Sequence, residues 1–320
     1  LKDTATGDTL SDGTRVVRFP PQEFPPAAIS FAITSKAKGD EEKVSNALKR
    51  LSEEDPAMQL RFDAQTKEMI ISGTSQVHVE VILDKMKRRF GVEVELHPPQ
   101  VPYRETIRRK AQAQGRHKKQ TGGRGQFGDC WVEFEPLERG AGFEFVDSVV
   151  GGAIPRQYIP AVEKGIREGM ERGLIAGYPV VDIRAKVYDG SFHPVDSSEM
   201  AFKLAGVAAL NAAAQKAHPV LLEPIVKAEV TVPDEYMGDI IGDLNGKRGR
   251  ILGMEPTGDG RQVVRALVPL SEMQRYAIDL KSIARGRGSF IIEHGHYEEM
   301  PAQSAQAVID NAKKAQASDE

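Results

Sequence analysis

The chain has 320 residues, with 43 Lys and Arg against 46 Asp and Glu for a formal net charge of −3, and 40% of its residues are apolar. That length exceeds one ordinary core and implies about two to four domains, and no apolar run reaches the roughly 20 residues a membrane-spanning helix needs. One cysteine, Cys130, excludes an intrachain disulfide and a cysteine-rich zinc site and fits a reducing, cytoplasmic setting, while the 6% aromatic content argues against base stacking as the main mode of any RNA contact.

Residues 1–20 carry no helical pattern and end in Phe19-Pro20-Pro21, with Pro25-Pro26 close behind. This reads as the tail of a preceding domain and a linker. The chain starts at Leu1 rather than Met, so it is expected to be a piece of a longer protein.

Residues 21–97 read strand, helix, strand, strand, helix, strand. Ile29, Phe31 and Ile33 alternate. Asp40 is expected to cap a helix with Glu41 and Glu42 in its first turn and Val44, Leu48 and Leu51 as its apolar stripe. Short strands follow near 58–63 and 68–72. A second helix buries Val79, Ile82, Leu83, Met86 and Phe90, ends among Lys85, Lys87, Arg88 and Arg89, and is closed by Gly91. Val92, Val94 and Leu96 form the last strand.

Residues 98–220 differ. Pro98, Pro99 and Pro102 bound the entry, and strands flank the glycine-rich run Gly115 to Gly128, GRHKKQTGGRGQFG. A helix near 157–172 carries Gly165 and Gly169, small residues that permit close packing. Val181, Ile183, Ala185 and Val187 alternate, and Asp189-Gly190 signals a turn. Asp196, with Glu199 three residues on, is expected to cap a long alanine-rich helix reaching about Lys216, a rod of roughly 30 Å.

Residues 221–303 repeat the order of the first module: a strand from 222 to 232, a helix with Tyr236, Met237, Ile240, Ile241 and Leu244 inward, strands near 250–254 and 262–268, a second helix whose capping box would be Ser271 and Gln274, and a strand over 289–293. Both modules fit the split βαβ, ferredoxin-like arrangement. The fold class is therefore α+β and multidomain. Residues 304–320 form a polar tail, expected to be frayed or weakly helical.

The run from Gly115 to Gly128 holds the main functional signal. Between Arg104 and Arg124 stand eight cations and one acid, Glu105, a local +7 in a chain whose remainder carries −10. Positive charge on glycine-rich backbone suits a polyanion, RNA phosphate above all. Gly123, Gly125 and Gly128 also fit G-x-G-x-x-G, but a period-two strand (Cys130, Val132, Phe134) follows where a dinucleotide site needs a helix. A nucleotide-dependent enzyme is thus disfavoured, and a solvated glycine-rich hairpin is the bland alternative. Asp243, Glu255 and Asp259 read as solvated acids, and Cys130 and Trp131 as packing residues. His294 and His296 could share a strand face but lack further metal ligands.

Three segments, HKKQTGGRGQFG (117–128), AGYPVVDIRAKVYDGSFHPVDSSEMAFKLA (176–205) and EYMGDIIGDLNGKRGRILGMEP (235–256), closely resemble the C-terminal half of translation elongation factor G. Shorter strings such as EEDPAMQLRFD, VPYRETI, IPRQYIPAVEKGI and ARGRGSF extend the resemblance to about Pro301. It implies the end of a β-barrel second domain, ferredoxin-like third and fifth domains, and between them a ribosomal-protein-like fourth domain with a left-handed crossover. It also implies a monomeric, cytoplasmic, ribosome-dependent GTPase that moves tRNA and mRNA. GTP and magnesium would bind in a first domain, because this chain contains no G-x-x-x-x-G-K-[ST]. No cofactor, metal or catalytic residue is expected within it.

Carried over residue by residue, the resemblance puts the fourth-domain tip at Arg116, His117, Lys118, Lys119, Gln120, Gly122, Gly123, Arg124, Gly125 and Gln126, together with a turn of Asp189, Gly190 and His193. The tip would enter the decoding-side tRNA site, with ribosomal RNA of both subunits as partner. Lys247, Arg248, Arg250, Arg285 and Arg287 are candidate large-subunit RNA contacts, against an ordinary reading as charges near a helix end. Two departures stand out. Pro194 follows the tip histidine where the family usually has an acid, and GTSQVHVE (73–80) replaces the commoner G-M-G-E-L-H-L-D. They leave open a divergent paralogue acting in recycling or another ribosomal step, or an RNA-binding module without a GTPase.

Overall fold

A computed structural model describes residues 4–319 except 5, 13, 21, 25, 26 and 121–124. The chain divides into two compact units, residues 1–101 with 225–295 and residues 102–224 with 296–320.

In the first unit, β1 (Ile29–Ser35), α1 (Glu41–Glu54), β2 (Gln59–Asp63), β3 (Glu68–Gly73), α2 (Gln76–Phe90) and β4 (Val94–His97) form an antiparallel sheet of order β2-β3-β1-β4. This is the split βαβ arrangement that the periodicity predicts. Val44, Leu48 and Leu51 of α1 meet Val79, Ile82 and Met86 of α2 over Ile29, Ile33 and Ile71. Asp40 takes the N-cap position of α1 but makes no side-chain cap bond; its carboxylate instead accepts from Lys43 Nζ at 2.8 Å. Gly91 closes α2 as expected, at φ 67°, a conformation that costs glycine least.

The second unit holds β5 (Arg104–Ile107), β6 (Ala111–Lys119), β7 (Gln126–Pro136), β8 (Phe143–Asp147), α3 (Ile159–Arg172), β9 (Ile183–Ser191) and α4 (Glu199–Ala217). Its sheet has order β6-β7-β9-β8, with β8 and β9 parallel and the other pairs antiparallel. Helices α3 and α4 cover one face and bury Val132, Phe134, Ile183, Ala185, Phe202 and Leu210. Glycines set how closely these layers approach. A Cβ on Gly115 would lie 1.9 Å from Ala205 O, on Gly128 2.5 Å from Ala201 O, and on Gly165 2.0 Å from Lys203 O. Gly165 and Gly169 thus serve the close packing their size suggests.

The strand β10 (Pro219–Pro233) starts beside β5 in the second unit. From Ile225 it belongs to the first unit, with α5 (Met237–Gly246), β11 (Arg250–Pro256), β12 (Arg261–Pro269), α6 (Leu270–Met273), α7 (Tyr276–Ile283) and β13 (Ser289–Glu299, through Gly295). The order β11-β12-β10-β13 repeats the first module's topology. Here the Ser271–Gln274 capping box does not form: Pro269 stands at the N-cap of α6, and Gln274 Nε2 donates to Pro99 O at 2.5 Å.

The tail expected to be frayed or weakly helical forms the last helix, α8 (Ala302–Asp319). Ala305, Val308 and Ile309 give it an apolar stripe that packs with Tyr103, Ile175, Tyr178, Leu221 and Met300 in the second unit. Packing of that face adds to the helix propensity of the segment's six alanines.

Candidate nucleic-acid interface

The β6–β7 hairpin carries the cationic run to one end of the second unit. Arg116, Lys118, Lys119, Gln120 and Gln126 are exposed there, and His117 is half-buried with its Nε2 2.9 Å from Gln126 Oε1. Gly122, Gly123 and Arg124 lie outside the described residues. Among the described residues no carboxylate pairs with Arg116, Lys118 or Lys119. Further down the same sheet the cations are compensated: Lys110 engages Glu133 and Glu135, and Arg184 engages Glu135 and Glu144. The end of the hairpin is therefore a place where several cations without a carboxylate partner among the described residues meet solvent together.

The segment 192–198 is bonded to this end. Asp196 Oδ1 accepts from Gly125 N at 3.1 Å, and Asp196 O accepts from Phe127 N at 2.9 Å. Ser197 Oγ donates to Phe127 O at 2.9 Å and accepts from His193 N at 2.9 Å. A Cβ at Gly125 would lie 2.9 Å from the Asp196 carboxyl and would displace that side chain. His193 Nδ1 accepts from the backbone N–H of Val195 and Asp196 at 3.3 and 3.2 Å, so the ring is clamped through one nitrogen while its side chain stays 53% exposed. The hairpin end and the histidine turn form one bonded, solvent-facing tip.

Two expectations are corrected. Asp189 and Gly190 do not turn: they lie inside β9, opposite Trp131 and Cys130, next to a bulge that absorbs one extra residue. Gly190 is there because a Cβ would lie 2.4 Å from Asp129 O and 2.7 Å from Ile154. Cys130 stands four residues up β7 from Gln126, so the pair sits roughly 14 Å along the strand from the hairpin end. The cap of α4 is likewise not Asp196 but Ser198, whose Oγ accepts from Ala201 N at 3.2 Å. Asp196 and Ser197 are instead the joint of the tip. Their bonds span about 70 positions, and a local capping pattern cannot reveal them.

The second cluster of candidate cations is differently placed. Lys247 is mostly covered and pairs with Asp243 at 3.4 Å and Asp279 at 2.9 Å. Asp243 is accordingly no solvated acid; its Oδ2 is buried. Arg248 pairs with Glu272, and Arg287 pairs with Glu235 and lies 5.0 Å from the Tyr236 ring centroid. Arg250 and Arg285 are exposed. The acids beside Lys247, Arg248 and Arg287 offset much of the charge an RNA phosphate would meet. Cys130 packs as expected: burial, and then the Asp129 carboxylate, push its thiol up to about 12. Among the described residues no three His, Cys, Asp or Glu side chains group to hold a metal ion, and no helix is long and apolar enough to cross a membrane.

Two split βαβ modules in one unit, and in the other a sheet with one helical layer and a cationic tip, define a multidomain α+β chain built around a presented end. Family models match almost all of it: elongation factor G domain III over residues 24–98, elongation factor G domain IV over 99–218 and the elongation factor G C-terminus over 220–308. The chain belongs to the elongation factor G family. It is also similar, at 41% identity and a TM-score of 0.80, to the crystal structure of ttk003000868 from Thermus thermophilus; the match covers 92% of this chain and 44% of that one. The chain thus spans less than half the length of that relative.

Proposed function

We propose that this chain is the ribosome-binding portion of an elongation factor G-type GTPase that promotes tRNA–mRNA translocation, its tip entering the decoding-side tRNA site. One observation carries the reading. Asp196 and Ser197 fuse a cationic hairpin end and an exposed histidine into a single tip on a two-layer body. Such a tip acts by occupying space and offsetting phosphate charge, and it needs no general base. GTP and magnesium would be held by a domain outside this chain, so the 320 residues would contribute positioning rather than hydrolysis. The partners are ribosomal RNA and the tRNA–mRNA pair, and the setting is cytoplasmic. The test is His193→Ala in the GTPase-containing protein: movement of tRNA slows strongly while single-turnover GTP hydrolysis is nearly unchanged. Equal loss of both refutes the tip role.

A second reading, a paralogue serving another ribosomal step, draws on the two sequence departures. At GTSQVHVE, Thr74 N donates to His78 Nδ1 at 3.1 Å and His78 Nε2 meets Asp55 Oδ2 at 2.8 Å, while Pro194 leaves no acid after His193. Restoring the acid by Pro194→Asp would raise translocation if this reading holds and leave it unchanged otherwise.

A further inference from the structure

The face of the second unit's sheet that α3 and α4 leave uncovered has a composition at odds with its chain. Gly115, Gly128, Cys130 and Val132 point into the helical layer. By strand alternation, Gln114, Arg116, Phe127 and Trp131 point the other way. Phe127 and Trp131 stand on the inner strand β7, opposite Lys118 and Gln114 of the edge strand β6. Tyr188, the extra residue of the β9 bulge, lies beside them; burial, then Glu133 and Asp189, raise its hydroxyl. All three rings are only partly covered, in a chain with 6% aromatic residues.

Their surroundings are ordered and polar. Gln114 Nε2 donates to Asp129 Oδ1 at 2.8 Å, Ser191 Oγ donates to Asp129 Oδ2 at 2.7 Å, and Gln112 Nε2 donates to Glu133 Oε2 at 2.6 Å. These bonds, with Lys110 on Glu133, engage the carboxylates of Asp129 and Glu133, while Asp189, exposed opposite Trp131, has no cation partner among the described residues. The guanidinium of Arg116 stands 5.5 Å from the Phe127 ring, and Arg116 and Lys118 line the edge strand without a carboxylate partner among the described residues. Flat rings on the inner strands thus adjoin a row of open positive charge on the edge.

We propose that this open face is a stacking platform for single-stranded RNA, with Phe127, Trp131 and Tyr188 taking bases and Arg116 and Lys118 taking the phosphates. Stacking on aromatic rings tolerates any base, whereas bases of a duplex are already stacked and out of reach. The proposal rests on the tip's being an RNA-binding end, and it extends that contact roughly 17 Å from Gln126 to Trp131 at about 3.4 Å per residue.

The chain's only tryptophan is Trp131, so its emission reports stacking directly. The 320-residue chain is titrated with single-stranded oligo(A), with an RNA duplex and with heparin, a polyanion without bases, and the affinity of labelled oligo(A) is followed in variants. Saturable quenching by oligo(A) alone is expected. Trp131→Ala with Tyr188→Ala should weaken oligo(A) about thirtyfold or more, since each of the two stacked bases contributes roughly 1–3 kcal/mol, with the salt dependence kept. Trp131→Phe with Tyr188→Phe should retain most of the affinity, which separates stacking from misfolding. Equal quenching by heparin or duplex overturns the platform, as does unchanged affinity in the double alanine variant. If that variant binds normally while alanines at Arg116, Lys118 and Lys119 abolish binding, the platform falls and the tip reading stands. If no oligo(A) binds at all, both fall.

Discussion

Ser197 shares the tip's joint with Asp196. It is buried, and its hydroxyl donates to Phe127 O while accepting from His193 N, so one atom ties the hairpin to the histidine turn. Ser197→Ala leaves both backbone groups without that partner and should cost about 1–3 kcal/mol in urea denaturation. The hairpin end should also lose protection in hydrogen exchange, first at the amides of Gly125 and Phe127. Gly115 makes a different kind of demand. A methyl group there would sit 1.9 Å from Ala205 O, a backbone atom of α4 that can yield only if the whole helix shifts. Gly115→Ala should therefore destabilise by about 3 kcal/mol or more, at or above the usual range for overpacking. A midpoint unchanged from the parent chain would show that α4 sits less tightly on β6. Neither role is legible in the sequence alone. A serine before a helix reads as a cap, and a glycine in a cationic run reads as flexibility, because the partners of both lie dozens of positions away.

Secondary elements were more legible. Period-two and helical patterns locate both split βαβ modules, since each strand and helix there buries one face against its own module. Failures occurred where tertiary contact overrode a local signal. Asp189-Gly190 is a strong hairpin signal, yet pairing with Trp131 and Cys130 holds it in β9. The polar C-terminal tail, expected as frayed or weakly helical, hides an apolar stripe at Ala305, Val308 and Ile309 whose packing supports the helix. The sheet of the second unit also has its own electrostatics. Hydrogen bonds from Lys110 hold the Glu133 and Glu135 carboxyls below the ordinary range. Groups whose folded-state pKa is depressed stabilise the fold above the unfolded pKa, and that contribution is lost as pH falls through the folded pKa. The urea midpoint of the second unit should thus drop as pH is lowered from about 5 through the carboxylate range. Lys110→Met should flatten that drop. An unaltered pH profile in this variant would remove Lys110 as the cause.

At the scale of the whole molecule, a chain of net charge −3 presents at one end three cations with no carboxylate partner among the described residues. If that end binds RNA, log affinity falls linearly with log salt, by roughly 0.7 to 0.9 per phosphate neutralised. Alanines at Arg116, Lys118 and Lys119 should reduce the slope by about 2 to 3 if each neutralises one phosphate. A parental slope would contradict the electrostatic account. The cationic run and its likeness to a ribosomal factor could be read from residues 115–128, because charge and glycine content are local properties. That the histidine turn joins the same end is implied by the resemblance, but the joint itself, the bonds of Asp196 and Ser197 to the hairpin, could not be read.

Directed hydroxyl-radical probing of the ribosome-bound, GTPase-containing protein tests the tip's placement most directly. A cleavage reagent is tethered at Lys119→Cys. Cys130, the native cysteine of this chain, is buried with its thiol pushed up to about 12, so it does not compete for the reagent. Strand scission is expected in small-subunit RNA around the decoding-side tRNA site, and its loss when the reagent is moved to the far end of the sheet at Lys110→Cys. Scission elsewhere, with the decoding region intact, would contradict a tip that enters that site.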